Sequence, residues 1–549
     1  MPMCSGLCIQ KKAAFSSTRS RRLFCALLMP ARLRTLLPDF VWALFAAVFF
    51  TYKIGYLFGD IDGEELLPVV YRLLDPSLYP GDPFVNAAAD VQPIRAAFTY
   101  TLVALGKLMP LSTVALMLHG LCLTVTALCL MRIARALFPD APWAAPLAPL
   151  LTMVYFGTWT LGGNAYLDNM LLPHSFAAAG GTAAALLFIR RRYVTAGIAV
   201  GISALYQPLL AGQLMAMLVA VRIAGARTEK WKEAGKFVGA FLLAVSPLLI
   251  AYLLHPAPPV SAAEHALFTE RYFVARHGLH YLPSLYPRTD WLHFCALTIV
   301  GLLLVFRYRH PARKSLIAFV GSGVAAMVLY TILVEGIGSL DVCAVQAFKS
   351  SVWIAAAMAV VVAGYVGKGL TMLLPFSPRS AAVLALPLIG ILFCGAVFTH
   401  TPGFAGHGLG GNWYRVGNYP VSDLTRIHHY LRDSTPRAAV VLTTPVDLSL
   451  LCEAQRSTPV SYKGFLHHPK AFLEWDHRYR CIYALSHQTG QRETSDQSSV
   501  HAELYNKLTS AHFDTVCNYQ YRIANADAAQ DSAMTVVRRE GDWLLLGRR

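Results

Sequence analysis

Long apolar stretches, separated by short polar loops, run from about residue 39 to residue 400. Each is close to the roughly 20 residues that an α-helix needs to cross a hydrocarbon core about 30 Å thick. The pattern predicts a polytopic α-helical membrane protein of about 11 transmembrane helices. The predicted spans are 39–58, 111–131, 142–160, 173–190, 193–207 (short enough to be a half-helix), 208–226, 237–254, 290–306, 315–334, 344–366 and 380–399.

The composition agrees with a membrane protein. Of the 549 residues, 55% are hydrophobic and 14% are charged, and the mean hydropathy is +0.46. A water-soluble chain this apolar would expose large sticky patches. The net charge of +16 does not indicate a nucleic-acid partner, because Lys and Arg lie largely at helix ends and no basic groove with interleaved aromatic residues is visible. We therefore expect no nucleic acid among the partners.

The basic residues predict the orientation of the chain. Residues 1–38 contain seven Lys and Arg and no acidic residue. We therefore expect a disordered cytoplasmic N-terminus without a cleaved signal peptide, with Met29 as an alternative start. Basic loops then alternate with acidic or balanced ones, which places the loops 59–95 and 255–289 outside. An odd number of spans puts the C-terminus in the periplasm, for a multi-pass protein of the bacterial inner membrane.

The chain becomes more polar after the last span. We expect residues 39–400 to form the transmembrane domain and residues 401–549 a small periplasmic α/β domain, entered through the glycine-rich segment 403–411. A closing hairpin is predicted with its turn at Gly541. The other predicted elements are strands at 438–445 and 458–462 and helices at 447–456 and 465–485.

The most informative polar segment follows the first span and reads Gly59-Asp-Ile-Asp-Gly-Glu-Glu65. Four carboxylates in six residues beside a membrane helix are costly unless they are hydrated, paired or bound to a cation. Asp60 and Asp62 can act as a general base or hold a divalent cation, Mg²⁺ or Mn²⁺. Glu65 is a candidate substrate-binding residue of the same segment. The alternative is structural: Asp62 and Glu65 imitate a capping box, and Glu64 and Glu65 are then charges at a helix start.

Two further outward segments are candidates for a site. The segment 162–174 contains Asp168 and His174, and the next outer turn contains Gln207, so the three side chains can face the same vestibule as the acidic loop. For His174 the alternative is a hydrogen bond at a helix interface. The proline-rich segment 74–84 predicts a rigid turn, which suits either the floor of a site or plain packing.

Basic residues on the same face have the charge to pair with a lipid phosphate or pyrophosphate. The candidates are Arg271 and Arg276 in the loop 255–289 and Lys349 at the start of a later span. Snorkelling toward lipid headgroups is the alternative. In the tail, the residues that can line a sugar-contacting surface or simply hold the fold are Arg456, Lys463, Trp475 and Arg478.

These features resemble the GT-C superfamily of polyprenyl-phosphate-sugar-dependent membrane glycosyltransferases. The resemblance lies in a basic flank before the first helix, Asp60 and Asp62 on the first outward loop, many spans and an outward C-terminal α/β domain. A poorly characterised bacterial GT-C-like group is also similar, and the resemblance covers roughly residues 39–480. The motifs shared with that group are Asp75-Pro76-x-Leu78-Tyr79-Pro80-x-Asp82, Pro173-His174 and Trp475-x-x-Arg478.

The resemblance implies transfer of a hexosyl or pentosyl group from a polyprenyl-phosphate donor to a glycan, lipid or protein acceptor on the periplasmic face, among membrane lipids. It assigns Asp60 and Asp62 as the base or metal ligands, with an Arg or Lys near the leaving phosphate. Two hypotheses from other classes stay open. One is a non-catalytic scaffold or assembly protein of envelope glycan synthesis. The other is a secondary transporter, which is disfavoured because the polar residues lie at the outer helix ends and no repeat is visible.

Overall fold

The computed structural model describes residues 31–549 apart from 60, 91–92, 225–227, 257, 375–376, 399–413, 446, 465–466, 486–496 and 529–530. The described chain is mostly helical. Before residue 400 the helices are α1 (Ala31–Ile54), α2 (Gly63–Leu74), α3 (Pro83–Asp90), α4 (Ala96–Gly106), α5 (Leu111–Leu137), α6 (Ala144–Pro149), α7 (Pro173–Ile189), α8 (Tyr193–Tyr206), α9 (Pro208–Ile223), α10 (Thr228–Leu254), α11 (Ala262–Thr269), α12 (Gly278–Tyr281), α13 (Arg288–Arg307), α14 (Arg313–Thr331), α15 (Ser350–Leu373) and α16 (Pro378–Phe398).

Short helical turns of other types extend or join these helices. The π-helical turns Leu150–Tyr155, Glu270–Arg276 and Ile332–Gly336 continue α6, α11 and α14. The 3₁₀ turns are Pro93–Arg95, Pro283–Leu285, Leu340–Val345 and Ala347–Lys349. Several of these irregular turns lie where helices end near polar side chains, as is common at functional sites.

Six helical stretches in the described residues are long and apolar enough to cross a membrane. They are Leu36–Ile54, Leu111–Leu137, Lys230–Leu254, Arg288–Arg307, Arg313–Gly336 and Leu340–Leu373. The other five predicted spans fall on apolar helices of 10–17 residues. The prediction of a polytopic helical protein is therefore confirmed, whereas a count of 11 crossings stays a prediction. The sequence reading missed α4, because its 11 residues are too few for a span.

Two glycines allow α8 to pack closely against α10. A Cβ atom at Gly197 would lie 2.3 Å from the carbonyl oxygen of Phe237, and one at Gly201 would lie 2.8 Å from that of Phe241. The spacing of four residues puts both glycines on one face of α8. Small residues at such a face let two helix backbones approach within the membrane, where van der Waals packing holds helices together.

The tail forms a small sheet covered by helices. Its four strands have the order β1-β2-β4-β3, with β1 parallel to β2 and the remaining pairs antiparallel. The elements are α17 (Asp423–Ser434), β1 (Val441–Leu442), α18 (Leu450–Ala454), α19 (Pro469–Ile482), α20 (Gln497–Lys507), α21 (Ser510–Phe513), β2 (Tyr521–Asn525), β3 (Met534–Glu540) and β4 (Trp543–Arg548).

The tail predictions were right in kind and partly wrong in extent. The hairpin that turns at Gly541 is confirmed, and Gly541 has the positive φ of 52° that such a turn favours. The strand predicted at 458–462 is wrong, because the only pairing next to it is an isolated bridge between Val440 and Ser457 among the described residues. The helix predicted at 447–456 is limited to α18, and the glycine-rich entry 403–411 lies outside the described residues.

The proline-rich segment 74–84 holds the tail against the first loop. The Tyr79 hydroxyl donates to the Leu451 carbonyl at 2.7 Å. An Asp82 carboxylate oxygen accepts from the Thr458 backbone N–H at 3.2 Å, and Arg437 pairs with Asp75 at 2.6 Å. Because the tail is bonded directly to this turn, residues more than 350 positions apart in sequence lie side by side around α2.

Candidate functional site

The first loop contributes Asp62, whose carboxylate faces the tail. Asp62 lies at the N-cap position of α2, but its side chain makes no capping hydrogen bond. Its Oδ1 instead accepts from the Lys463 Nζ at 2.6 Å, and the Asp62 side chain is 43% exposed. The capping box between Asp62 and Glu65, which was the structural alternative, is therefore not formed. Asp60 lies outside the described residues, so its role stays a prediction.

Glu65 is the second carboxylate that α2 places in this region. Its Oε1 accepts from the Arg95 guanidinium at 2.9 Å and lies 3.0 Å from the His467 Nε2. Burial alone would raise the pKa of the Glu65 carboxyl, but Arg95, His467 and Lys463 outweigh it and lower that pKa to about 2. Glu65 is therefore a permanent negative charge that is shared between a helix-end arginine and the tail.

The segment after α11 closes the same region from another side. The Tyr272 hydroxyl lies 2.5 Å from the His467 Nδ1, so His467 joins Tyr272 to Glu65. The Arg276 guanidinium donates to the Tyr462 carbonyl at 2.8 Å and lies 3.5 Å from the centre of the Tyr462 ring. These contacts hold the tail loop beside the membrane helices.

A sharply bent loop before α7 supplies a third group of polar side chains. Gly162 and Gly163 have φ values of 73° and 64°, a region that glycine adopts without strain. A Cβ at Gly163 would lie 2.8 Å from the His280 ring, and the His280 Nδ1 lies 2.9 Å from the Gly162 carbonyl oxygen. At the end of the loop, the His174 Nε2 lies 3.0 Å from the Tyr166 carbonyl oxygen.

Lys349 and Asp168 connect this loop to the first one. The Lys349 Nζ donates to the Asn164 Oδ1 at 3.1 Å, and the charges of Arg95 and Asp168 both reach Lys349. Burial raises the pKa of the Asp168 carboxyl, and the charges of His174, Asp62 and Lys349 act on it as well. We call this group the polar cluster: Asp62, Glu65, Arg95, Asn164, Asp168, His174, His280, Lys349, Lys463 and His467.

The structure thus brings together Asp62, Glu65, Asp168, His174 and Lys349 from the predicted residues. Arg276 lies at the edge of the cluster, where its charge and those of His467 and Lys463 act on His277. The two further predicted residues are Arg271 and Gln207. Arg271 is buried in the π-helical turn after α11, and Gln207 lies at the turn between α8 and α9. No contact in the described chain joins the Gln207 side chain to the cluster.

Other members of the cluster were not predicted. Arg95 ends the 3₁₀ turn before α4, His280 lies in the short helix α12, and Asn164 and His467 lie in loops. Lys463 was predicted either to line a sugar-contacting surface of the tail or to hold the fold. Since about 400 residues separate Asp62 from Lys463, only the fold shows that they meet.

The remaining tail candidates hold the fold. The Arg456 guanidinium donates to the carbonyls of Ala454, Gln455, Arg432 and Thr435. The indole of Trp475 is buried and donates to the Ser461 carbonyl at 2.8 Å. Arg478 pairs with Glu474 at 2.5 Å and lines a cavity of about 580 Å³ in the tail.

The described part of the polar cluster does not fit a divalent cation. In the part of the chain that the structure describes, no three His, Cys, Asp or Glu side chains are arranged to hold a metal ion. A carboxylate oxygen of Asp62 faces the Lys463 ammonium, which occupies the place of a cation. The predicted metal pair therefore depends on Asp60 and is not supported by the described donors.

Comparisons with known proteins found one family model and several solved chains that match. A family model described as a domain of unknown function, DUF6798, matches residues 422–482, from the start of α17 to the end of α19. No curated protein matches the sequence. Twelve solved chains match, among them the cryo-EM structure of the arabinofuranosyltransferase AftD from Mycobacteria. That alignment has 13% identity and a TM-score of 0.45 and covers 95% of this chain, which spans 40% of AftD. These values are too low to establish a shared fold or activity.

Proposed function

We propose that the protein is a membrane glycosyltransferase. It moves a sugar from a polyprenyl-phosphate donor to an acceptor hydroxyl at the membrane face where the polar cluster lies. The observation that carries the proposal is the arrangement of Asp62 and Lys463 at 2.6 Å beside Asp168 and Lys349. A carboxylate that can accept a proton and cations that can hold a phosphate thus meet at the ends of apolar helices.

The cations of the cluster suit a lipid-phosphate leaving group. Arg95 and Lys463 act on Glu65, and Lys349 acts on Asp168, so cations from three separate parts of the chain meet the carboxylates of the cluster. A phosphate entering between them would replace the carboxylates as their partner. Preorganised cations of this kind stabilise the charge that develops on a leaving group. The apolar helices around the cluster would accommodate the polyprenyl chain beside the site.

Asp62 is the base in this proposal. The acceptor oxygen attacks the anomeric carbon of the donor sugar while the bond between that carbon and the phosphate oxygen breaks. The acceptor proton passes to the Asp62 carboxylate, and the lipid phosphate leaves with both electrons of the broken bond, held by Lys463 and Lys349. A base must lie within hydrogen-bond reach of the proton that it removes, and the partial exposure of Asp62 leaves that space open.

The orientation belongs to the proposal as well. In this proposal the cluster and the tail lie in the periplasm of a bacterial inner membrane and the N-terminus lies in the cytoplasm, an orientation that the alternation of basic loops supports. The acceptor would be a glycan, lipid or protein of the envelope, because these are the hydroxyl-bearing partners at that face.

The test uses the full chain in nanodiscs with a panel of radiolabelled polyprenyl-phosphate sugars and an envelope acceptor fraction. Wild type should transfer label, and Asp62→Asn should lower the rate by about 10²- to 10⁴-fold, the usual contribution of a general base. The matched control is Asp290→Asn, a carboxylate of α13 at the same end of the bundle and outside the cluster. Its rate should equal that of wild type.

Three outcomes would contradict the proposal in different ways. Equal loss in both Asn variants would mean that the Asp62 effect is not specific. Full activity in Asp62→Asn would move the base elsewhere. No transfer from any donor would favour a non-catalytic scaffold of glycan synthesis or a transporter. A parallel arm with EDTA tests the cation: activity that survives EDTA would exclude a required metal at Asp60 and Asp62.

A further inference from the structure

A cavity of about 900 Å³ lies among helix ends on the side of the bundle away from the polar cluster. The helix α7 begins near the cluster, at His174, and leads away from it, and the cavity is lined by its later turns. The ends of α5, α7 and α9 and the starts of α8, α10 and α14 surround its mouth. Its volume lies in the range of about 300–1,000 Å³ that is usual for ligand sites.

The cavity extends well into the apolar part of the bundle. It runs along α7 from Ile189 at the mouth to Thr182, seven residues or about 10 Å at 1.5 Å per residue. At the inner end, the Tyr166 hydroxyl and the Thr182 hydroxyl lie 2.5 Å apart and satisfy each other. The depth is about a third of a hydrocarbon core of about 30 Å.

The walls of the cavity are apolar and partly formed by small residues. Ala185 of α7 and Ala356 and Ala357 of α15 line it, together with Leu, Ile, Val and Phe side chains from the neighbouring helices. Short alanine side chains at these positions leave the space open. Apolar walls of this kind exclude a free anion and favour a hydrocarbon chain.

The mouth of the cavity is cationic. Four basic residues line it, Arg191, Arg222, Lys230 and Lys314, against the single carboxylate of Glu233. Glu233 pairs with Arg222. No carboxylate of the described chain pairs with the remaining three cations. They lie at helix ends, where the hydrocarbon core meets the headgroups.

We propose that the cavity is a binding site for an anionic phospholipid. One acyl chain occupies the apolar pocket, and the phosphate lies at the mouth against Arg191, Lys230 and Lys314. The lipid comes from the leaflet opposite the polar cluster, so this site differs from the donor site in both place and ligand. The binding does not depend on the transferase reaction proposed above, and its test does not use that reaction.

The test measures lipid retention by native mass spectrometry of the full chain in detergent. Phosphatidylglycerol, phosphatidylcholine or inorganic phosphate is added at equal concentration. We expect one retained phosphatidylglycerol and little retention of the other two. Arg191→Glu and Lys230→Glu should each weaken retention by about fivefold or more. The controls Arg192→Glu and Lys232→Glu reverse the charge of two exposed neighbouring side chains that do not line the cavity. These variants should retain lipid as wild type does.

A second variant tests the pocket itself. Ala357→Phe fills the cavity and should abolish retention of phosphatidylglycerol, whereas Val366→Phe, on an exposed position of the same helix, should leave it unchanged. Equal retention of phosphatidylglycerol and phosphatidylcholine would overturn the proposal. So would equal losses in the control variants, retention that survives Ala357→Phe, or the absence of any retained lipid.

Discussion

Glu64 and Glu65 are neighbours on α2, yet they lie in two regions with opposite chemistry. Glu64 is buried in the contact between α2 and the tail, where its two oxygens accept from the backbone N–H groups of Leu451 and Cys452 at 2.7 and 3.1 Å. Glu65 lies in the polar cluster and faces the side chains of Arg95 and His467. One carboxylate is bound by backbone, and the other by groups that can move.

This difference separates a structural carboxylate from a carboxylate of the proposed site. Glu64 caps α18 by satisfying N–H groups that a helix leaves without partners in its first turn. Burial raises its pKa well above the usual range, with a contribution from the charge of Asp447. Side-chain cations such as those around Glu65 can turn toward a substrate, whereas backbone donors cannot. The acidic loop therefore contains both roles within a few residues.

The largest effect is expected from Glu64→Ala. Two buried N–H groups would lose their acceptor, which should lower the free energy of unfolding by about 2–5 kcal/mol. The matched variant Glu65→Ala should lower it by less, about 1–3 kcal/mol, because the partners Arg95 and His467 are side chains that are partly exposed to water. Chemical unfolding in detergent, followed by tryptophan fluorescence, measures both. Equal losses in the two variants would remove the distinction between the regions.

A pH dependence should appear at the contact with the tail. Burial raises the pKa of Asp82 to about 6 from 3.8, although three backbone N–H groups oppose the shift. The folded state therefore holds the proton more tightly than the unfolded state. The contribution of Asp82 to the stability should fall by about 2–3 kcal/mol as the pH rises from about 4 to 6 and then stay level. The difference in stability between wild type and Asp82→Asn should follow this slope, and a difference that stays constant over that window would contradict the role of Asp82.

Glu65 should respond to pH in the opposite direction. Its folded pKa of about 2 lies below the usual 4.5. Its contribution to stability is therefore complete above about pH 4.5 and is lost as the pH falls toward 2. The difference in unfolding midpoint between wild type and Glu65→Gln should shrink over that window. A difference that stays constant would mean that the charge of Glu65 does not stabilise the fold.

Glu65→Gln should also affect the proposed reaction. Loss of the charge would loosen Arg95 and His467, and we expect kcat/KM to fall by about 10- to 100-fold at neutral pH, as expected when preorganised charges are disturbed. Glu64→Gln, assayed at the same amount of folded protein, should keep its activity. A larger loss of activity in Glu64→Gln than in Glu65→Gln would contradict the proposal, because the reaction would then depend on the contact between α2 and the tail more than on the polar cluster.

The smallest effect is expected from Asp75→Asn. Asp75 and its partner Arg437 are both exposed at the edge of the contact with the tail, and exposed ion pairs contribute little. Neither the unfolding midpoint nor the activity should change measurably. A clear loss of either would show that the contact between turn and tail depends on its exposed rim as well as on its buried carboxylates.

The sequence predicted the parts of the molecule that depend on local pattern. Apolar length indicated the helices, and the turn at Gly541 was found because Gly541 and Asp542 stand between two short strand-like runs. The strand predicted at 458–462 was wrong, because this segment bonds to Asp82 of the first loop instead of to a neighbouring strand. Likewise, the sequence indicated a helix cap as the alternative role of Asp62 and did not reveal its partner Lys463, which lies about 400 residues away. Pairing over such distances leaves no periodic signal.

The contact between Asp62 and Lys463 has a consequence for how the protein is made. The first loop leaves the ribosome early, whereas Lys463 and His467 follow only after the last predicted membrane helix. During synthesis, Asp62 and Glu65 therefore lack their tail partners Lys463 and His467 until the last part of the chain has been made. A chain that stops before residue 463 would therefore lack part of the polar cluster, and the cluster would be complete only once the final segment has been made and folded.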